Sequence, residues 1–306
     1  MKSIKLGNSN FNVPVVGVGC MRLNSLQPSQ AEYFVKSALD MGLNFFDHAD
    51  IYGDGSCEEL FARAVGMNST IREKLIIQSK CGIVPNVMYD FSKEHILKSV
   101  EGILKRLNTD YLDVLLLHRP DALVEPEEVA DAFDTLYKSG KVRLFGVSNQ
   151  KPMQIELLKK HLNQDIVANQ LQLSIANSQM IRNGLEVNMF TEGSLDRDGS
   201  VLDYCRLNDI TIQTWSPFQY GFFQGVFLGN DKFPQLNNVI NSLCEKYGCS
   251  NTAIATAWIL RHPANMQMIS GTMNVERLRE ITLATDITLT REEWYKIYLS
   301  AGNNLP

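Results

Sequence analysis

What most limits the fold of this chain is a rhythm. Short apolar runs of strand length alternate with helical stretches, at 15–19, 43–46, 75–79, 111–117, 142–147, 166–170, 210–215 and 266–269. The intervening helical signals cover 29–39, 57–65, 92–107, 127–138, 153–161, 200–207, 236–247, 251–261, 275–284 and 291–299. The 92–107 stretch is a clear case, with Ile96, Val100, Ile103, Leu104 and Leu107 on one face of a 3.6-residue period. Ser29 is the expected N-cap of the first helix, and Gly140 closes the 127–138 helix. Residues 3–6 and 11–15, joined by a Gly7-Asn8 turn, read as a hairpin ahead of the first strand. The rhythm breaks at 171–200, a polar stretch with several glycines and asparagines, which is expected as an elaborated loop. No composition shift or linker separates the units. The expected fold is therefore α/β: a single (β/α)8 TIM barrel over 1–306, with an N-terminal β-hairpin and extra helices near the C-terminus. A doubly wound open sheet is the competing topology, disfavoured because its strand ends would not converge on one face.

Convergence is the point, because the strand ends are not apolar. Asp47 ends the second strand, with Tyr52 five residues later; Lys80 ends the third, His118 the fourth, Ser148-Asn149 the fifth, Gln170 the sixth and Trp215 the seventh. In such a barrel every strand's carboxyl end opens on the face that carries the chemistry. Each residue alone has a plain explanation: a loop tyrosine, a solvated lysine, a strand-end histidine. Together they form a proton-transfer set. A tyrosine, pKa ordinarily about 10, can serve as a proton donor if a cation draws it toward working pH, and Lys80 comes from the neighbouring strand.

Other features are set aside. Gly17-Val18-Gly19-Cys20-Met21-Arg22 looks like a dinucleotide fingerprint, but Arg22 stands where the third glycine belongs. As the first strand's tip it places Cys20 and Met21 to line the pocket. Five histidines show no ligand spacing, so no metal is expected. Cys81 is expected as a buried strand-end thiol, not a nucleophile.

The segment Gly42-x-Asn44-x-Phe46-Asp47-x-Ala49-x-x-Tyr52-Gly53, with Lys80, Leu117-His118, Val147-Ser148-Asn149, Asn169-Gln170, Trp215-Ser216-Pro217, Gly271-Thr272, Arg277 and Glu280, resembles the aldo-keto reductase family along nearly the whole chain. That resemblance implies reversible, nicotinamide-dependent reduction of aldehydes and ketones. The implied tetrad is Asp47, Tyr52, Lys80 and His118, with Tyr52 giving a proton to the carbonyl oxygen as hydride arrives. It further implies cofactor contacts at Ser148, Asn149, Gln170, Trp215, Ser216, Gly271, Thr272, Arg277 and Glu280. Trp215 is a tyrosine in many members and a tryptophan in others, potassium-channel β subunits among them. Arg277 would meet the 2′-phosphate of NADP(H), which makes NAD(H) the second choice; Arg277 and Glu280 could instead form a surface ion pair. Many relatives carry a lysine where this chain has Gly271, so one cation is missing.

The remaining expectations come from composition and loops. The formal charge is −5 with no basic run, which argues against nucleic acid. No apolar run reaches the ~20 residues of a membrane span, the first residues lack the apolar core of a leader, and six cysteines occur without a C-x-x-C pair. A cytoplasmic monomer or weak oligomer acting on a small carbonyl substrate is expected. Phe218 and Tyr220, in the aromatic loop after the seventh strand, join Cys20 and Met21 as candidate pocket residues. The 301–306 tail is too short for much of a lid, so an open site with broad acceptance of small carbonyls follows. Two other classes stay open: a nicotinamide-binding redox-sensing subunit with little catalysis, and a lyase or aldolase using Lys80 as a Schiff-base nucleophile.

Overall fold

A computed structural model describes residues 1–264 and 266–305. A first hairpin pairs β1 (Ser3–Lys5) with β2 (Asn12–Pro14). The strands β3 (Val16–Gly19), β4 (Phe45–Asp47) and β5 (Ile76–Cys81) follow, then a second, smaller hairpin of β6 (Ile83–Val84) and β7 (Met88–Tyr89). The remaining strands are β8 (Leu112–Leu117), β9 (Val142–Ser148), β10 (Ile166–Gln172), β11 (Thr211–Trp215) and β12 (Met266–Ser270). All but the two hairpins pair in parallel and close into an eight-stranded barrel, with β12 returning to β3 through Ile269 opposite Gly17. The alternation along the sequence thus becomes a (β/α)8 barrel, and the open sheet is not formed.

Two apolar layers hold it. Outside the strands, the helices bury one stripe each; in Lys93–Leu107 these are the five residues read from the sequence, all buried. At about 1.5–3 kcal/mol per buried side chain, that stripe contributes on the order of 10 kcal/mol before chain entropy is counted. Val100→Asp would place an unpaired charge in it. Inside, Leu6 and Val13 of the first hairpin pack with Phe45, Val114, Leu116, Val167 and Ile269. This apolar plug leaves the opposite, carboxyl end for chemistry.

Local differences from the sequence reading have local causes. The helix Pro28–Asp40 starts one residue early, because Pro28 presets the helical φ at the first position; Gln30 then accepts the Gln27 N–H at 3.0 Å, displacing Ser29 as the cap. Ser139 is the formal C-cap of Pro126–Lys138, with Gly140 next at φ +73°. The polar stretch after β10 contains a short helix, Gln179–Leu185. Its apolar residues are Met180, Ile181 and Leu185, and much of its anchoring comes from buried Glu186, which accepts from Arg182 at 3.1 Å. The hairpin β6–β7 turns at Asn86, at φ +61°; its two-residue strands are too short to show a period. Pro306 lies outside the described residues.

Candidate active site

The second strand delivers Asp47 in register with Gln78, while Lys80 sits two residues further along β5, on the same inner face. Lys80 Nζ is fully buried. It lies 2.8 Å from the Asp47 carboxylate, 2.7 Å from the His48 carbonyl oxygen and 3.1 Å from the Tyr52 hydroxyl. Burial alone would lower the pKa of such an ammonium. The Asp47 charge and the Tyr52 contact outweigh it and hold Lys80 above the ordinary lysine value.

Tyr52 opens a turn, Tyr52–Gly55, in which Gly53, Asp54 and Gly55 all take left-handed φ values of 57°, 53° and 88°. Glycine is needed at the last of these for a second reason, since a Cβ on Gly55 would meet the Arg106 side chain at 2.5 Å. The Tyr52 pKa is not drawn down as the sequence suggested. Burial raises it, Lys80 pulls the other way, and Asp47 beside Lys80 cancels much of that pull, so the net direction is up. The phenol holds its proton at neutral pH.

His118 follows β8, its ring edge-on to Tyr52 with centroids 6.0 Å apart. Burial, with Lys80 and Arg119 nearby, holds it well below the usual histidine range, so the ring is neutral; its buried Nδ1 has no partner among the described residues. Cys81 is buried, its pKa raised well above the ordinary thiol value by that burial. It is an inert thiol, as expected.

Beneath the tetrad is a feature the sequence reading passed over. Gln78 Nε2 donates to Asp47 Oδ1 at 2.6 Å and to Gln213 Oε1 at 2.8 Å; Gln213 donates onward to Gln267 at 2.9 Å, and Gln267 to the Pro14 carbonyl at 2.8 Å. Gln170 joins from β10, donating to Asp47 at 3.1 Å and to Gln213 at 3.3 Å. Buried amides in low dielectric are stable only when paired, and here they brace the carboxylate from below. The available signal was an amide following an apolar residue inside three strands: Ile77-Gln78, Ile212-Gln213 and Met266-Gln267. Sequence gave no sign of a second buried group behind the Tyr52 turn. There Glu58 accepts from Arg106 at 2.7 Å and Ser79 at 2.8 Å, and burial lifts Asp50 to about 7.

The remaining candidates form a rim around the mouth. Ser148 Oγ donates to the Gln170 carbonyl at 3.0 Å; Asn149 Nδ2 donates to Ser148 Oγ at 2.7 Å, and its Oδ1 accepts from Trp215 Nε1 at 3.2 Å. Asn149 and Ser216 both hold left-handed backbone, φ +58° and +51°, a conformation that costs a non-glycine residue and often marks a binding site. Among the described residues, one Asn149 amide hydrogen beside the half-buried Trp215 ring, and Gln170 Oε1, have no partner. That donor, acceptor and flat face fit a planar ring bearing a carboxamide. Further round, Gly271 and Thr272 lead into the helix Val275–Leu283, capped by Asn274, which accepts the Arg277 N–H at 2.9 Å. The helix's ion pair is Arg279–Glu276, leaving Arg277 unpaired among the described residues and Glu280 half-buried one turn on. A side chain on Gly271 would meet the Arg22 guanidinium at 3.1 Å.

Of the expected pocket residues, Cys20 is buried beside Asp47, whose carbonyl accepts its N–H at 2.8 Å, and Met21 is exposed at the loop. Tyr220 turns instead to Phe233 and Lys232, and Phe218 is half-buried against the core. Phe222 and Phe223 are the rings that meet Trp215, with centroids 6.1 Å away in each case.

A parallel barrel with a buried lysine–carboxylate pair touching a phenol at its carboxyl mouth defines a barrel enzyme equipped for proton transfer. The family model described as aldo/keto reductase family matches residues 15–298, and the chain belongs to that family. It is an NAD(P)H-dependent oxidoreductase acting on carbonyl or alcohol groups. The Bacillus subtilis oxidoreductase YcsN is 35% identical over 94% of each chain. A 6-dehydroglucose reductase of Novosphingobium aromaticivorans is 32% identical over 99% of this chain and 96% of its own. A thermostable aldo-keto reductase crystallised with the inhibitor epalrestat is 27% identical, covers 98% of this chain and 100% of its own, and superposes with a TM-score of 0.79.

Proposed function

We propose that this chain reduces small aldehydes and ketones to alcohols, reversibly, with NADP(H), and that Tyr52 is the proton donor. The observation that carries the reading is the buried Lys80 ammonium, bonded at once to Asp47 and to the Tyr52 hydroxyl. Tyr52 keeps its proton until a carbonyl oxygen beside it develops negative charge. Lys80, still charged, then stabilises the phenolate left behind, Asp47 balances Lys80, and the glutamines hold Asp47 in place. Neutral His118 orients the carbonyl oxygen. When bound, the reduced nicotinamide supplies the hydride. Ser148, Asn149 and Gln170 would hold its carboxamide and Trp215 its ring face, with Ser216, Gly271 and Thr272 nearer the phosphates. Arg277 would meet the 2′-phosphate and Glu280 the adenine. Arg22, over Gly271, supplies a cation where a lysine is missing, which supports NADP(H) over NAD(H).

The pocket in this reading is Cys20, Met21 and Phe222, with Phe218 and Tyr220 shaping the loop behind them. A relative named for 6-dehydroglucose supports a small polar aldehyde as substrate. The whole of 1–306 would act as one domain, as a cytoplasmic monomer or weak oligomer; six unpaired thiols support a reducing setting. The braced tetrad supports catalysis over a redox-sensing role. A Schiff-base role for Lys80 needs a free amine, and the raised Lys80 pKa opposes that. The test is NADPH oxidation against a panel of simple aldehydes. Turnover lost in Tyr52→Phe is expected; equal turnover by that variant, or none by wild type, sinks the reading.

A further inference from the structure

Arg119 follows His118 on the loop leaving β8. Its guanidinium carbon lies 5.9 Å from the ring centre of Trp215 and 5.7 Å from that of Phe222, at the mouth of the site. Among the described residues it has no carboxylate within 4.0 Å and donates no hydrogen bond, though it is only half-exposed. Its close neighbour in sequence, Asp121, is already spent: one oxygen accepts the Phe91 N–H at 2.9 Å and the other the Leu123 N–H at 2.8 Å.

The rest of the chain shows how unusual this is. Arg72, Arg106 and Arg182, the other arginines out of full solvent contact that can reach an acid, sit 2.7, 2.7 and 3.1 Å from carboxylates. Arg261 donates to the Leu289 carbonyl at 2.7 Å. Among the described arginines out of full solvent contact, only the one at the mouth is left without an acceptor. Cation–π contact offsets part of its desolvation but satisfies none of its five N–H groups. Burial accordingly pulls its pKa below that of an ordinary arginine. The titratable groups beside it are His118, held neutral, and Tyr89, which reaches over from the β6–β7 hairpin.

We propose that Arg119 is the substrate's anion receptor: the preferred aldehyde carries a carboxylate, which the guanidinium takes through paired hydrogen bonds while the carbonyl lies at Tyr52 and His118. A planar fork resting beside two rings is preorganised for a carboxylate, and a tight pair there loses little to solvent. It would narrow the broad acceptance of small carbonyls expected from the short 301–306 tail. It rests on the reductase reading above.

The test compares three aldehydes with NADPH: succinic semialdehyde, which bears a carboxylate; butanal, of the same chain length and neutral; and D-glyceraldehyde, neutral and hydroxylated. In wild type kcat/KM should favour succinic semialdehyde over butanal. Arg119→Met keeps apolar packing against the rings and should lower that ratio about 10- to 100-fold, mainly through KM, as expected for one charge-assisted pair. Arg119→Lys should restore part of it. NADPH affinity should stay within about twofold, which separates a substrate anion from a cofactor phosphate. An unchanged ratio in Arg119→Met, a loss confined to glyceraldehyde, or a loss confined to NADPH binding overturns the proposal. Should Arg119→Met not fold, butyrate as an inhibitor of wild type decides: competition against butanal supports the receptor, and its absence overturns it. If butanal is reduced in a Tyr52-dependent way while the ratio does not move, only this proposal falls. If no aldehyde is reduced, the reductase reading falls with it.

Discussion

Removing Lys80 tests the site more sharply than any other single change, because stability and activity respond to the same bonds. Lys80→Met deletes three contacts at once, to Asp47, the His48 carbonyl and Tyr52. Asp47 would remain buried with only the Gln78 and Gln170 amides beside it. An unpaired buried charge of this kind costs about 3–5 kcal/mol. Asp47→Asn should cost a similar amount, by stranding the ammonium instead. The double variant strands neither, so the two singles should over-count the double by about 2–3 kcal/mol. Urea unfolding followed by circular dichroism gives the three values, read at constant m. Activity should fall roughly 10²- to 10⁴-fold in each single, the usual range for losing assistance to proton transfer, and the double should not recover it. Stability rescued without activity is the signature of this pair. Singles that add to the double within about 0.5 kcal/mol would refute the coupling on which the proton-donor assignment rests.

Three further outcomes follow from the same geometry. Tyr52 is held up by burial and His118 is neutral, so the reduction rate should show no ionisation limb between about pH 6 and 9 on the ordinary scales for these groups; a limb near neutrality, lost in Tyr52→Phe, would contradict that. Asp50 has a folded pKa of about 7, raised first by burial, and a buried Oδ1 with no partner. The stability it contributes is full below its unfolded pKa of about 3.9 and is lost as pH rises through 7, so Asp50→Asn should gain on wild type by about 4 kcal/mol at pH 8 and by nearly nothing at pH 3.5; equal gains at both pH values in urea titrations would count against it. Arg277→Ala should weaken NADPH binding by roughly 10- to 100-fold and leave NADH binding little changed, with Arg22→Ala acting in the same direction more weakly; parallel titrations of Trp215 fluorescence measure both, and a matched loss for the two cofactors would remove the 2′-phosphate assignment.

Much of this molecule was legible from residue order alone. Strand and helix periods are local properties, and eight alternations without a linker leave few folds that bury every apolar face. The barrel then carries its strand ends to one mouth, so Asp47, Lys80 and His118 could be grouped from their places at strand tips. Tyr52 came with them because it sits five residues past Asp47. Other parts were beyond reach, because they depend on which side chains meet across the barrel. The glutamine brace joins β5, β10, β11 and β12, whose members are up to 189 positions apart (Gln78 and Gln267). No spacing rule relates them. The direction of the Tyr52 shift was also a tertiary matter, since a cation beside a phenol was visible but the balance between burial, Lys80 and Asp47 was not. Arg119 makes the same point. In sequence it is a charged residue between His118 and Pro120, with an acid two positions on. Only the folded chain turns Asp121 to backbone N–H groups, sets two aromatic rings beside the guanidinium, and leaves a cation at the mouth with no acceptor among the described residues.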